Sequence, residues 1–114
     1  MNLQLFLQIG KMMTLKVLLI SGSLRESSMT QFLTEYIAQS LTDQGIEIKL
    51  WSLKEDPLPI LDPALLSHHP HQHPVQIVQD FITASRHCDA FVLASPVYHN
   101  TFSGVLKNAL DHLS

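Results

Sequence analysis

The sequence predicts an α/β architecture of three layers, with a parallel sheet between helices. Three observations carry this. Apolar runs short enough for strands alternate with stretches whose apolar residues recur at helical spacing. Two of the runs, Val17-Leu18-Leu19-Ile20 and Ala90-Phe91-Val92-Leu93-Ala94, are apolar on successive residues, as central strands buried on both faces are. The first run feeds a hydroxyl-rich turn, Ser21–Thr30, which opens a helix.

In chain order, residues 1–13 precede the first convincing element and read as an N-terminal extension without a function. Met1–Ile9 alternates partly, enough for a short extra strand, and lacks the basic start and cleavage site of a secretory signal. Residues 14–114 form the domain. The first strand spans Leu15–Ser21. The first helix, Met29–Asp43, carries Met29, Phe32, Leu33, Tyr36, Ile37 and Leu41 as one expected buried stripe. Ser27 or Ser28 is its N-cap, and Gly45 supplies a positive φ at its end. The second strand, Ile46–Trp51, alternates Ile46, Ile48 and Leu50 with Glu47 and Lys49, which suits an edge or half-buried position.

Ser52–Pro74 is a long connection holding all but one of the 6 prolines, with a short turn expected at Pro63–Ser67. The second helix, Pro74–His87, has Pro in its first position and should bury Val75, Val78, Phe81, Ile82 and Ser85. The third strand is Asp89–Ser95. After the loop Pro96–Phe102, Ser103 caps a third helix that buries Val105, Leu106, Ala109, Leu110 and Leu113.

Composition narrows the function. At 114 residues the chain is one domain at most. Lys and Arg total only 7 and the net charge is −3, with no basic run for a nucleic acid. No apolar run approaches the roughly 18 residues of a membrane span. The single Cys88 excludes an internal disulfide, fits a reducing cytoplasm and reads as inert core. His68, His69, His71 and His73 crowd the Pro-rich connection without an acid or Cys at ligand spacing. They read as a solvated loop and no metal site is expected.

Right-handed crossovers place the first strand between the other two, in the order 2-1-3. The turn Ser21–Thr30 and the loop Ser95–Ser103 then meet beyond the carboxyl ends of adjacent strands, at a switch point where α/β sheets bind ligands. The turn offers hydroxyls, the Arg25 guanidinium and helix-start N–H groups, all suited to an anion. It lacks both Gly-Lys-Ser/Thr and Gly-x-Gly-x-x-Gly, so a phosphate monoester fits better than a triphosphate or dinucleotide. The loop offers Pro96, Val97, Tyr98, His99 and Phe102, rigid or flat groups suited to an aromatic ring. A phosphate cradle beside a ring-binding wall describes a site for flavin mononucleotide (FMN).

Gly22-Ser23-Leu24-Arg25 with Ser28, then Ser95-Pro96-Val97-Tyr98-His99-Asn100, then Ser103-Gly104-Val105-Leu106-Lys107-Asn108-Ala109-Leu110-Asp111, together resemble the NAD(P)H-dependent FMN reductase family. That family includes flavodoxin-like azoreductases, chromate and quinone reductases. The resemblance runs from Leu15 onward and implies a flavodoxin-like fold, FMN as cofactor and NAD(P)H as cosubstrate. It implies that Ser23, Arg25, Ser28 and Thr30 hold the FMN phosphate with the N–H groups of Leu24 and Met29. Pro96, Val97, Tyr98 and His99 would line the ribityl chain and ring. It also implies a cytoplasmic homodimer that passes hydride through flavin to a quinone, azo, metal or free flavin acceptor, with no general acid or base among its residues. The family's sheet continues through two further strands, so the chain is expected to be a C-terminally truncated member whose third strand is an open edge.

Two other readings stand beside this one. A flavodoxin-type electron carrier would also bind FMN, but such carriers are strongly acidic and the charge here is only −3. An inactive truncated fragment would bind nothing tightly. For the turn itself, the plain alternative is an ordinary strand-to-helix connection rich in capping residues, and for Tyr98 and His99 a surface loop.

Overall fold

In a computed structural model, residues 2–5, 14–66 and 72–113 are described. The elements run β1 (Lys16–Ser21), α1 (Met29–Asp43), β2 (Glu47–Ser52), α2 (Gln76–Arg86), β3 (Ala90–Ala94) and α3 (Gly104–Asp111), with a 3-10 turn at Pro63–Leu65. The sheet is parallel, in the order β2-β1-β3. Lys16 pairs with Glu47 and Ser21 with Ser52 on one side; Val17 pairs with Ala90 and Ser21 with Ala94 on the other. The expected order therefore holds, with strand ends within one or two residues of expectation.

Side-chain alternation along β1 divides the core. Leu18 and Ile20 face α2 and α3, where they cluster with Trp51, Leu53, Phe81, Leu106 and Ala109. The Trp51 and Phe81 rings meet edge to face with centroids 5.0 Å apart. Val17, Leu19 and Ser21 face α1, and the Ser21 hydroxyl donates to Gln31 Oε1 there.

Several expectations change. The stripe expected on α1 is not buried: Met29 is 78% exposed, Phe32 66% and Tyr36 65%, and Leu33 is half exposed. The sheet-facing side is Thr30, Thr34, Ile37, Ala38 and Leu41. At 3.6 residues per turn the two faces lie roughly 130° apart, so only Ile37 and Leu41 belong to both the expected stripe and the real one. The apolar run of β3 is not buried on both faces: at the edge that the order 2-1-3 implies, Phe91 and Leu93 are about half exposed. Pro74 does not open α2; that helix starts at Gln76 with Val75 as N-cap, and Val75 is exposed. Leu3–Leu5 is helical rather than extended, and residues 6–13 of the expected extra strand lie outside the described residues. In α3 the expected stripe holds, with Leu106 and Ala109 buried and Val105, Leu110 and Leu113 packed against the core.

His73 is buried rather than solvated. Its Nδ1 accepts from the Val75 N–H at 3.1 Å, and its carbonyl accepts from Gln79 Nε2 at 2.6 Å. A ring nitrogen thus serves the start of α2, where Val75 has no capping side chain of its own. His68, His69 and His71 lie outside the described residues.

Candidate functional site

The two loops singled out in the sequence meet at the carboxyl ends of β1 and β3. The first residue past β1, Gly22, donates its N–H to the Ala94 carbonyl at 2.8 Å. The Ser103 hydroxyl donates to the Gly22 carbonyl at 2.7 Å, and the Ser95 hydroxyl accepts from the Ser103 N–H at 2.8 Å. Gly22 is required by this closeness: a Cβ there would lie 2.9 Å from Ser103 Oγ and 3.0 Å from Leu106 Cβ. Ser103 also caps α3, its Oγ accepting from the Leu106 N–H.

In the first loop, Ser23 is 2% exposed and its hydroxyl accepts from the Arg25 N–H at 3.3 Å, which curls the chain. Ser28, not Ser27, is the N-cap; its Oγ accepts from the Gln31 N–H at 2.9 Å. Ser27 takes a φ of 50° just before the cap. As the first two residues of α1, Met29 and Thr30 have N–H groups with no acceptor inside the helix. The Met29 side chain points into solvent, as does Leu24, so backbone is what these two offer the site. Arg25 is exposed. Glu26, the one acid of the loop, is engaged by Lys54 at 3.5 Å, which leaves Arg25 and the helix start as the loop's positive potential.

The second loop is shaped by a tight turn. Tyr98 and Thr101 exchange both backbone hydrogen bonds, at 2.9 and 3.1 Å. The two residues between them, His99 and Asn100, have φ of 49° and 65°. Positive φ at both central positions is the signature of a type I′ turn, and Asn accepts it at less cost than most non-glycine residues. Ser27, His99 and Asn100 are the non-glycine residues with positive φ among the described residues, and all three sit in these two loops. Such backbone strain gathers where the surroundings hold a loop in one shape. Val97 and Tyr98 present their side chains to solvent, and Pro96 is half-buried.

The expected site residues are thus brought to one end of the sheet, but no hydrogen bond among the described residues joins Ser23–Thr30 directly to Pro96–His99. The joining is done by Gly22, Ser95 and Ser103, three residues absent from the expected set. The signal for them was close at hand: Ser95 and Ser103 bracket the second loop, and Gly22 is the only glycine in the first. A cleft of about 550 Å³ lies elsewhere, toward the amino ends of β1 and β2, lined by Lys16, Glu47, Lys49, Trp51, Thr83 and His87 among others. The candidate site lies at the other end of the sheet, and among the described residues no strand pairs with the outer edge of β3 beside it. The long connection does not cover it through Leu58–Leu61, which is tied to the far half of α3. There Asn108 Oδ1 accepts from the Leu61 N–H, and Asn108 Nδ2 and His112 Nε2 both reach the Pro59 carbonyl.

Comparison with known proteins gives these loops a context. The family model described as NADPH-dependent FMN reductase matches residues 15–114. The FMN-dependent NADPH-azoreductase of Staphylococcus saprophyticus is 36% identical over 100 residues, covering 88% of this chain and 53% of that protein. The enzyme of the same name from Staphylococcus aureus is 35% identical over 101 residues, with the same coverage. Among solved structures, an NADH:FMN oxidoreductase in its apo form superposes with a TM-score of 0.67 at 26% identity, over 89% of this chain and 51% of that one. An azoreductase from Bacillus anthracis superposes with a TM-score of 0.68 at 17% identity, a likeness of fold, over 89% of this chain and 56% of that one. The chain spans about half the length of the curated relatives it matches.

Proposed function

Since the chain belongs to the NADPH-dependent FMN reductase family, we propose that its two stitched loops bind FMN and serve an NAD(P)H-dependent oxidoreductase. The observation that supports this reading is the Ser103–Gly22–Ala94 stitch, which ties the loop leading into α1 to the end of β3 and the start of α3, between which Tyr98 and His99 lie. The donor set suits a phosphate monoester. Arg25 supplies mobile positive charge, Met29 and Thr30 supply N–H groups, and the hydroxyls of Ser23, Ser28 and Thr30 and the Leu24 N–H complete the cradle. Pro96, Val97, Tyr98 and His99 supply a flat wall for the ribityl chain and ring. When bound, FMN would provide two-electron chemistry between NAD(P)H and a small acceptor of the quinone, azo, metal or free flavin class. The residues' own work is to bind and orient: the strained Ser27 and His99 fix the loops, and the buried Ser23 hydroxyl keeps the cradle curled. The complete protein is proposed to act in the cytoplasm as a homodimer.

The test is direct. The purified chain should take up FMN at micromolar concentration, and anaerobic NADPH should bleach the flavin absorbance. Bound flavin that resists NADPH would favour an electron carrier instead. Failure to take up FMN would overturn the binding site itself.

A further inference from the structure

We propose that His73 and His112 form a proton-sensitive clasp between the start of α2 and the end of α3, closed while the rings are neutral and loosened as acid charges them. Three observations converge on it. Both residues are buried, at 8% and 5% exposure. Their rings meet edge to face with centroids 6.3 Å apart. Each ring also bonds to backbone in a fixed role. His73 Nδ1 accepts from the Val75 N–H at 3.1 Å, and His112 Nε2 donates to the Pro59 carbonyl at 2.9 Å.

Those roles set the protonation states. A ring nitrogen that accepts from an N–H carries no hydrogen itself, so His73 is neutral with its hydrogen on Nε2. A proton added at Nδ1 would aim one donor at another and leave the Val75 N–H without its acceptor. The start of α2 has no substitute, because Val75 has no capping side chain. His112 keeps its bond in either state, since a carbonyl only accepts, but its charge would oppose a charge on His73.

The acids on the elements packed against the two rings are engaged elsewhere. On α2, Asp80 accepts from Gln76 Nε2; on α3, Asp111 pairs with Lys107; in the connection, Asp62 accepts from the Ala64 N–H. Lys54 is the partner of Glu26 and Glu55, Asp56 lines the cleft between β2 and α2, and Arg86 and His87 lie at the far end of α2. Among the described residues no carboxylate forms an ion pair with either ring. Histidine changes charge between about pH 5 and 8, so the clasp contributes stability above that range and loses it as the pH falls through it. Beside it stands a hold that does not titrate: Asn108 binds the Leu61 N–H and the Pro59 carbonyl. Acid therefore frees the start of α2 and leaves Leu58–Leu61 on α3.

The experiment is an NMR titration of the 114-residue chain from about pH 8 to about pH 5. It needs no flavin, so its outcome is independent of the binding site proposed above. At the upper end the His73 ring is expected as the Nε2–H tautomer. The Val75 amide resonance should shift with the same midpoint as the His73 ring, while the Leu61 amide stays in place. His112→Gln removes the opposing ring and should move the His73 midpoint upward. In urea, the unfolding constant of the parent should rise about threefold more than that of His73→Asn over the same range. His68, His69 and His71 are common to both proteins and cancel in that comparison. An Nδ1–H tautomer at His73, or a Val75 amide that does not follow the ring, overturns the proposal. So does a His73 midpoint unmoved in His112→Gln, or equal pH dependence of the parent and His73→Asn.

Discussion

The Ser103 hydroxyl donates to the Gly22 carbonyl at 2.7 Å, joining residues 81 positions apart in sequence. With the Gly22 N–H given to Ala94, both backbone polar groups of Gly22 are spent on the end of β3 and the cap of α3. Replacing Ser103 by Ala leaves the buried carbonyl without its donor and α3 without its cap. The expected loss is about 1–3 kcal/mol, read by urea denaturation.

Gly22→Ala acts on the same contact by intrusion. A Cβ 2.9 Å from Ser103 Oγ forces the loops apart. FMN affinity is expected to fall at least tenfold. Because the two residues touch, the double variant with Ser103→Ala should lose less than the sum of the singles, a coupling that a double-mutant cycle measures.

Arg25 separates binding from folding. Its side chain is exposed and makes no ion pair among the described residues. Arg25→Ala should leave stability within about 0.5 kcal/mol of the parent. It should weaken FMN roughly tenfold or more through loss of a charge-assisted phosphate contact. Riboflavin, which has no phosphate, should bind the two proteins equally in a fluorescence titration.

The turn at His99-Asn100 depends on positive φ. Asn100→Val places a β-branched residue in that region, at a cost of about 1–2 kcal/mol. Thermal unfolding should report the loss, and Asn100→Gly should restore or exceed the parent's stability.

His73 tests the start of α2. His73→Ala removes the acceptor for the Val75 N–H and is expected to cost about 1 kcal/mol. His73→Asn, which also offers a short acceptor, should recover part of it. Chemical denaturation of the three proteins checks the order.

Much of the fold was legible because its signals are local. Ser28 and Ser103 announce helix starts through hydroxyls that can reach the N–H three residues on, and both do so. Gly45 was legible through its positive φ. The strand order followed from crossover handedness once β-α-β units were recognised. The α1 stripe was misread because Met29, Phe32, Leu33 and Tyr36 share helical spacing with Ile37 and Leu41, and spacing tells which residues share a face but not what covers it. Thr34, the one fully buried residue of α1, carried no apolar signal: its hydroxyl is satisfied within the helix, by the Thr30 carbonyl. His73 looked solvated because its neighbours in sequence are His and Pro.

By itself the sequence determined the α/β class, the parallel order and the two loops beyond the strand ends, since periodicity, capping and handedness are set by residues near one another along the chain. Only the tertiary structure decided how those loops are joined, through Gly22, Ser95 and Ser103. It alone decided that Phe91 and Leu93 of β3 stay half exposed, and that Met29, Phe32, Leu33 and Tyr36 of α1 face outward. Those outcomes depend on contacts between residues far apart in sequence, and on surface that none of the described residues packs against.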